Sequence, residues 1–377
     1  MDSYTKPKGS FISYMSNLVK QQGGINLAQG IPGFNPPIEL LDILERIVKD
    51  NVHQYAPGNG NNNLLDFLTE HYKKNGFKRD DFLIVNGATE AITLLYVYLL
   101  KILNKPFSTI AFDPVYEIYK NLPQIFNKDF ISFALEEDGS INFDKLESSI
   151  KENNVKLVII NSPGNPYGKV WTKEEFDRII ELSVKLDFYI VLDSVYQDLY
   201  FEKKPYLPLE KFNNNIFYVN SFSKKFSITG WRIGYLVADK QHMSEIKSIH
   251  DYTGLCSPSV LQCAIAEYVR KYDFGKDYIA NLRKNLILSF NILKKELLKL
   301  DFYIPEIEGG YFIWARLPKN YTDGIKFTFD LYDKEKVAVI PGSHFSDNFN
   351  NYIRFNIARP ESEIKIAVER LNNFLDK

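Results

Sequence analysis

Four short apolar runs in this chain end on residues able to do chemistry. Leu83–Val85 leads into Asn86-Gly87-Ala88-Thr89, and Val158–Ile160 into Asn161-Ser162-Pro163-Gly164-Asn165-Pro166. Tyr189–Leu192 leads into Asp193, and Phe217–Val219 into Asn220-Ser221-Phe222-Ser223-Lys224. A lysine attacks a carbonyl only when its amine is neutral. Lys224 follows an apolar strand, where burial lowers the pKa of an amine. Alone it means little, because most lysines are solvated. Its neighbours add to it: hydroxyls at Ser221 and Ser223, a guanidinium fork suited to phosphate at Arg232, and Gly230 and Gly234 to leave room around that fork. The N–H groups at the start of the helix that Gly87–Ala91 opens attract phosphate, although a plain N-cap by Thr89 accounts for the same residues. Asp193, read by itself, is equally a turn or cap residue. Together the four ends suit one ligand that is aromatic, phosphorylated and aldehyde-bearing.

The elements that must position these groups alternate along the chain. Candidate strands are Phe82–Asn86, Ser108–Phe112, Phe130–Ala134, Lys156–Asn161, Phe188–Asp193, Ile216–Asn220 and Ile233–Val237. Several are continuously apolar, as strands covered on both faces must be. Helical stretches lie between them, such as Lys173–Leu186, with Thr172 as its N-cap and Glu174 and Glu175 in its first turn. The alternation predicts an α/β domain with a mostly parallel seven-stranded sheet. In such sheets ligands gather outside the carboxyl ends of the strands, where the four polar clusters fall. After about residue 275 the pattern changes to a long helix, Ile279–Lys299, short strands at Tyr311–Ala315, Val337–Ile340 and Tyr352–Asn356, and a last helix, Glu361–Leu375. The expected division is a large domain over 41–275 and a small α+β domain made of 1–40 and 276–377. The first forty residues, rich in Gly and Pro, form no clear unit of their own.

Composition excludes several classes. The chain has 377 residues, 45% hydrophobic and 25% charged, with a formal net charge of −1 and mixed signs along its length. Neither nucleic acid nor an anionic membrane is expected as a partner. Two cysteines, Cys256 and Cys263, are too few for a disulfide framework and lack metal spacing, which fits a reducing, cytoplasmic compartment. Met1–Ile12 has no apolar core of a signal peptide. Ala91–Leu103 is too short to span a bilayer and contains Lys101. None of the five histidines forms an H-x-x-x-H pair, so no metal site is expected.

Ser221-Phe222-Ser223-Lys224, followed by Gly230-Trp231-Arg232-Ile233-Gly234, resembles the cofactor-lysine segment of fold type I, class I/II aminotransferases, S-x-S-K and then G-x-R-x-G. The resemblance implies pyridoxal 5′-phosphate as cofactor, Lys224 as its Schiff-base lysine and proton shuttle, and Ser221, Arg232, Ala88 and Thr89 on its phosphate. It implies Asp193 as partner of the pyridine nitrogen, keeping that nitrogen protonated. Tyr196, and Asn165 of Asn165-Pro166-Tyr167-Gly168 (family N-P-x-G), would bond the 3-oxygen. Tyr167 stands where relatives commonly have Thr. Tyr116 matches the aromatic that stacks on the ring. Tyr55 matches the tyrosine that reaches the phosphate of the other subunit, which implies a homodimer with shared active sites. Arg354, a charge within an apolar strand that needs a reason, matches the arginine that anchors the substrate α-carboxylate, with Asn165 and the Gly30 backbone completing that site. Arg359 is expected at the surface.

Ile25–Phe34, preceded by Phe11–Leu18, resembles the kynurenine/glutamine/methionine branch, whose members usually carry an acid where Gly33 stands. Gly309–Phe312 and Val339–Ser343 fit the same pattern, so the resemblance runs from about residue 10 to the end. The loop His250–Pro258, expected to approach the neighbouring subunit's substrate, contains no Arg or Lys. The preferred amino donor is therefore expected to have a neutral side chain (aromatic, Met, Gln or Leu), with a 2-oxo acid as acceptor. Three alternatives stay open on the sequence. A C–S β-lyase acting on cysteine conjugates uses almost the same residues. A non-catalytic regulatory module would carry an N-terminal DNA-binding domain. An α-oxoamine synthase would have His in place of Tyr116.

Overall fold

The seven apolar runs form one sheet, in the order Phe82–Val85, Gly234–Val237, Ile216–Ser221, Tyr189–Asp193, Val155–Asn161, Ser108–Asp113, Asp129–Ala134. The computed structural model in which this is seen describes residues 7–50 and 52–375. The ends of the expected small domain and position 51 of the large one lie outside the described residues, as does the first half of Met1–Ile12. Every neighbouring pair is parallel except those made by Gly234–Val237, which runs antiparallel to both its neighbours. Alternate side chains enter two different cores. Val158, Ile160, Ile190, Leu192 and Tyr218 face one layer of helices, and Leu157, Ile159, Val191, Phe217 and Val219 face the other. Burial on both faces is why these strands read as unbroken apolar runs.

Helix boundaries follow their caps. Lys173–Leu186 is closed by a capping box between Thr172 and Glu175. The apolar helix begins at Ala88, three residues earlier than its apolar pattern, because Gly87 at φ 82° turns the chain into it. The long helix starts at Lys276, not Ile279.

A second core surrounds a three-stranded antiparallel sheet of Ile340–Pro341, Tyr352–Asn356 and Phe312–Arg316. Helices Lys276–Lys299, Gly324–Glu335 and Glu361–Leu375 contribute to it. Two expectations need correction here. The expected single strand Val337–Ile340 is two short ones in different sheets: Val337–Ala338 pairs in parallel with Ile25–Asn26, while Ile340–Pro341 joins the three-stranded sheet. The first forty residues do contain a defined unit, the helix Phe11–Gln22, capped by Ser10 and burying Phe11, Ile12 and Met15 against Trp314, Phe329 and Phe345. Its scattered Ser13, Ser16, Asn17 and Lys20 hide that stripe. The expected loop starting at His250 is also shorter, since His250 lies buried within the helix Lys240–Thr253.

Candidate functional site

The strand register sets the site. Asn161 pairs with Asp193, and Asp193 with Val219, so the ends of three parallel strands lie side by side. Ser221 and Val85 both pair with Gly234. A Cβ at Gly234 would meet the Asn220 carbonyl oxygen at 2.8 Å and the Gly87 Cα at 3.0 Å, so only glycine lets the Asn86-Gly87 turn and the lysine-bearing segment come together. Around these ends is a cavity of about 410 Å³, lined among others by Ala88, Thr89, Tyr116, Asn165, Asp193, Tyr196, Ser221, Lys224, Arg232 and Arg354.

Ser221 accepts from the Ser223 N–H (3.1 Å) and so starts the short helix Phe222–Lys225, which presents Lys224 to the cavity. The Lys224 Nζ donates to the Gly30 carbonyl at 2.7 Å. Its pKa falls to about 8, chiefly through desolvation and then through the charges of Arg354 and Arg232, against the pull of Asp193. Asp193 is 4% exposed. Burial raises its pKa to about 6, while the Tyr119 hydroxyl (2.7 Å), the Val195 N–H (3.2 Å) and Lys224 work to keep it ionised. A protonated ring nitrogen beside it would hold it as carboxylate.

At one end of the cavity the groups suit a phosphate. The helix Ala88–Leu103 points its N-terminus there, and its Gly87 N-cap makes no side-chain cap bond. Arg232, held at φ 58°, donates to the Thr229 and Asn86 carbonyls, both at 3.1 Å. The glycine that makes room for its guanidinium is Gly87, where a Cβ would meet Nη2 at 2.6 Å. Gly230 faces open space, and Gly234 spaces the backbone instead. The Ser221 hydroxyl lies 2.9 Å from that of Ser223.

Arg354 is 1% exposed, between Trp314 and Ile340 in the small sheet. Its guanidinium lies over the rings of Phe312 (4.1 Å) and Phe345 (4.8 Å). It donates to Asn165 Oδ1 at 2.8 Å and to the Ala28 carbonyl. Its Nε has no partner among the described residues, which leaves a buried donor for an incoming carboxylate. The cavity therefore offers an amine of lowered pKa, a buried carboxylate, a phosphate-type cradle and a free arginine edge, the donor set that a phosphorylated aromatic aldehyde and an amino acid require.

Of the sequence-expected residues, Tyr55 alone does not line the cavity. Its side chain is 82% exposed on this chain. Arg359 is only partly exposed, tied to Glu363, and its guanidinium packs against Gly33. Four cavity-facing or supporting groups were not singled out from sequence: Tyr119, which holds Asp193; Phe312, which packs on Gly30 and Arg354; Tyr311, whose hydroxyl donates to the Lys224 carbonyl at 2.6 Å; and Glu117. Tyr119 lies in the first turn of the helix Glu117–Ile125, for which Tyr116, in extended backbone, is the N-cap residue.

A lysine at an ordinary pKa of about 10.5 is neutral in roughly one molecule in three thousand at pH 7, and one at about 8 in roughly one in ten. The rate at which cofactor-free protein captures pyridoxal phosphate should therefore rise about tenfold per pH unit and level off near pH 8. Stopped-flow absorbance across pH 6–11 checks this, and levelling only near 10.5 would contradict it.

A profile of the family described as "Aminotransferase class I and II" matches residues 22–371. The chain is 28% identical to the aspartate aminotransferase of Thermotoga maritima, over 95% of this chain and 93% of that one. It is also 28% identical to the methionine aminotransferase of Escherichia coli, over 96% and 95%. It superposes on the solved structure of N-succinyldiaminopimelate aminotransferase from Mycobacterium tuberculosis with a TM-score of 0.90 at 26% identity, covering 98% of this chain and 100% of that one.

Proposed function

The chain belongs to the class I and II aminotransferases, and from that premise we propose how its residues divide the work of moving an amino group from a neutral L-amino acid to a 2-oxo acid. The enzyme is pyridoxal-phosphate dependent and has the fold type I architecture. The observation that carries the assignment of roles is the buried amine of Lys224, its pKa lowered, in one cavity with Asp193 and Arg354. When bound, the cofactor supplies an aldehyde for the amine and a ring that draws electrons from the substrate α-carbon. Ala88, Thr89, Ser221 and Arg232 would hold its phosphate, Asp193 its ring nitrogen, Asn165 and Tyr196 its 3-oxygen and Tyr116 its ring face.

Arg354 and Asn165 bind the α-carboxylate of the amino acid, with the Gly30 backbone beside them. Lys224, once its amine is free beside the Gly30 carbonyl, takes the α-proton as general base and returns it as general acid. Tyr119 keeps Asp193 ionised and aimed into the cavity.

The same reading places residues 41–275 in the cofactor-binding domain and 1–40 with 276–377 in the smaller one. It takes the enzyme as a cytoplasmic homodimer whose Tyr55 reaches the partner's phosphate cradle. In support, Thr89 and Arg232 are exposed on the single chain and Tyr55 stands clear of its own cavity. No helix among the described residues is long and apolar enough to cross a membrane.

The test is the visible absorbance of the holoenzyme on addition of single amino acids without an acceptor. Methionine or an aromatic amino acid should bleach it, a 2-oxo acid should restore it, and Lys224→Ala should show neither change. An enzyme that uses aspartate tenfold or more better than methionine and phenylalanine would refute the neutral-donor assignment.

A further inference from the structure

Once the cofactor groups and Arg354 are accounted for, one wall of the cavity is left for the substrate side chain. It is formed by the start of the helix Phe11–Gln22, with Ser10, Ile12 and Ser13, and by Gln29, Glu117 and Ile118. Lys224, Arg232 and Arg354 are the only cations lining the cavity among the described residues, and each already has a task. Glu117 brings a negative charge to this wall. Its Oε1 accepts from the Ser10 hydroxyl at 3.0 Å, and its Oε2 lies 3.1 Å from His344 Nε2. Desolvation alone would raise its pKa, but the contacts with His344 and Ser10 and the charge of Arg354 hold it below the ordinary value. It is therefore a carboxylate at neutral pH.

We propose that Glu117 is the specificity-determining residue of this site: it turns away amino acids whose side chains end in a carboxylate and takes those whose side chains end in a hydrogen-bond donor, an amide foremost. The physical basis is twofold. A second carboxylate beside Glu117 meets a like charge in a partly desolvated cavity with no free cation to offset it. An amide N–H₂ offers donors to the lone pairs that Ser10 and His344 leave unused. The isoleucines suit the methylene stem of such a side chain, and Gln29 and Ser13 add polar atoms to the same lining.

The proposal rests on the aminotransferase assignment, and glutamine against glutamate tests it, because the two differ only in the terminal group. Single-turnover kcat/KM with the holoenzyme should favour glutamine at least tenfold. In Glu117→Gln that ratio should fall to within about threefold of one, with glutamate gaining in absolute terms. Ser10→Ala, which removes a tether on Glu117 without removing its charge, should keep the ratio. A role confined to fastening the N-terminal helix would instead lower both substrates equally in Glu117→Gln and leave the ratio where it was; that result overturns the proposal. So does a wild-type enzyme that uses glutamine no faster than glutamate. If methionine and every other amino acid also fail to react, the aminotransferase assignment of the residues falls with it, whereas turnover of methionine with no glutamine preference removes Glu117 alone.

Discussion

Lys224→Ala should lower amino-group transfer by about four orders of magnitude, the upper range for loss of a positioned acid–base group. Among the described residues no other amine lines the cavity, and the remaining titratable groups there are an aspartate buried against Tyr119, a glutamate held by Ser10 and His344, tyrosines, and arginines that do not deprotonate. Single-turnover absorbance with methionine measures the loss, and a small added amine supplied as external base should restore part of it. Misfolding is separable by the sign of a stability change. The folded pKa of Lys224 lies below its unfolded value, so its protonation opposes folding of the cofactor-free protein. That penalty is complete below about pH 8 and gone above about 10.5. It is of the order of 3 kcal/mol. Lys224→Met without cofactor should therefore melt no lower than wild type at pH 7, with its advantage shrinking as the pH rises past 8. A variant that melts well below wild type would show that the lysine stabilises its surroundings instead.

Arg354→Leu should cost about thirty- to several-thousandfold in kcat/KM, the range for removing one partner of a buried charged pair. The loss should be the same factor for methionine, glutamine and phenylalanine, because the group that Arg354 binds is common to all amino acids. Part of it comes from within the protein, since Asn165 Oδ1 and the Ala28 carbonyl each lose their guanidinium donor. Arg354→Lys should recover little. The planar fork lies over Phe312 and Phe345 while it bonds Asn165 and the Ala28 carbonyl and keeps Nε for the substrate, and an ammonium cannot do all of these. Steady-state kinetics across the three donors checks this; a donor-dependent loss would mean that Arg354 also reads the side chain.

The inner strands of the large sheet are legible because burial on both faces leaves continuous apolar runs, and all seven strands, the largely exposed edge strand Asp129–Ala134 included, appear within a residue or two of the expected ends. Strand direction is not written in such runs, so nothing in Gly234–Val237 announces that it runs against its neighbours. The break at Val339 is hidden for the same reason: Val337–Ile340 is apolar throughout, yet its halves pair with different partners. The helix Phe11–Gln22 is obscured because its buried apolar stripe is only Phe11, Ile12 and Met15 among serines, an asparagine and one lysine. In the cavity, residues fixed to strand ends and a long motif are readable. Tyr119, Tyr311, Phe312 and Glu117 act through contacts across the fold, with no spacing signal in the sequence.

The hydrogen bond from Arg354 to the Ala28 carbonyl joins residues 326 apart, and Ile25–Asn26 pairs with Val337–Ala338. Lys224, Asp193 and the strands that carry them are closed by much shorter loops and lie in the first two thirds of the chain. As the polypeptide leaves the ribosome, the sheet and the groups facing the cofactor can form while the carboxylate anchor is still unsynthesised. The N-terminal helix and the Gly30 segment must wait for the last strand before they have a surface to settle on. Chain growth thus builds the cofactor half of the cavity first and the substrate half last, so a chain stopped anywhere before Arg354 lacks the means to grip an amino acid.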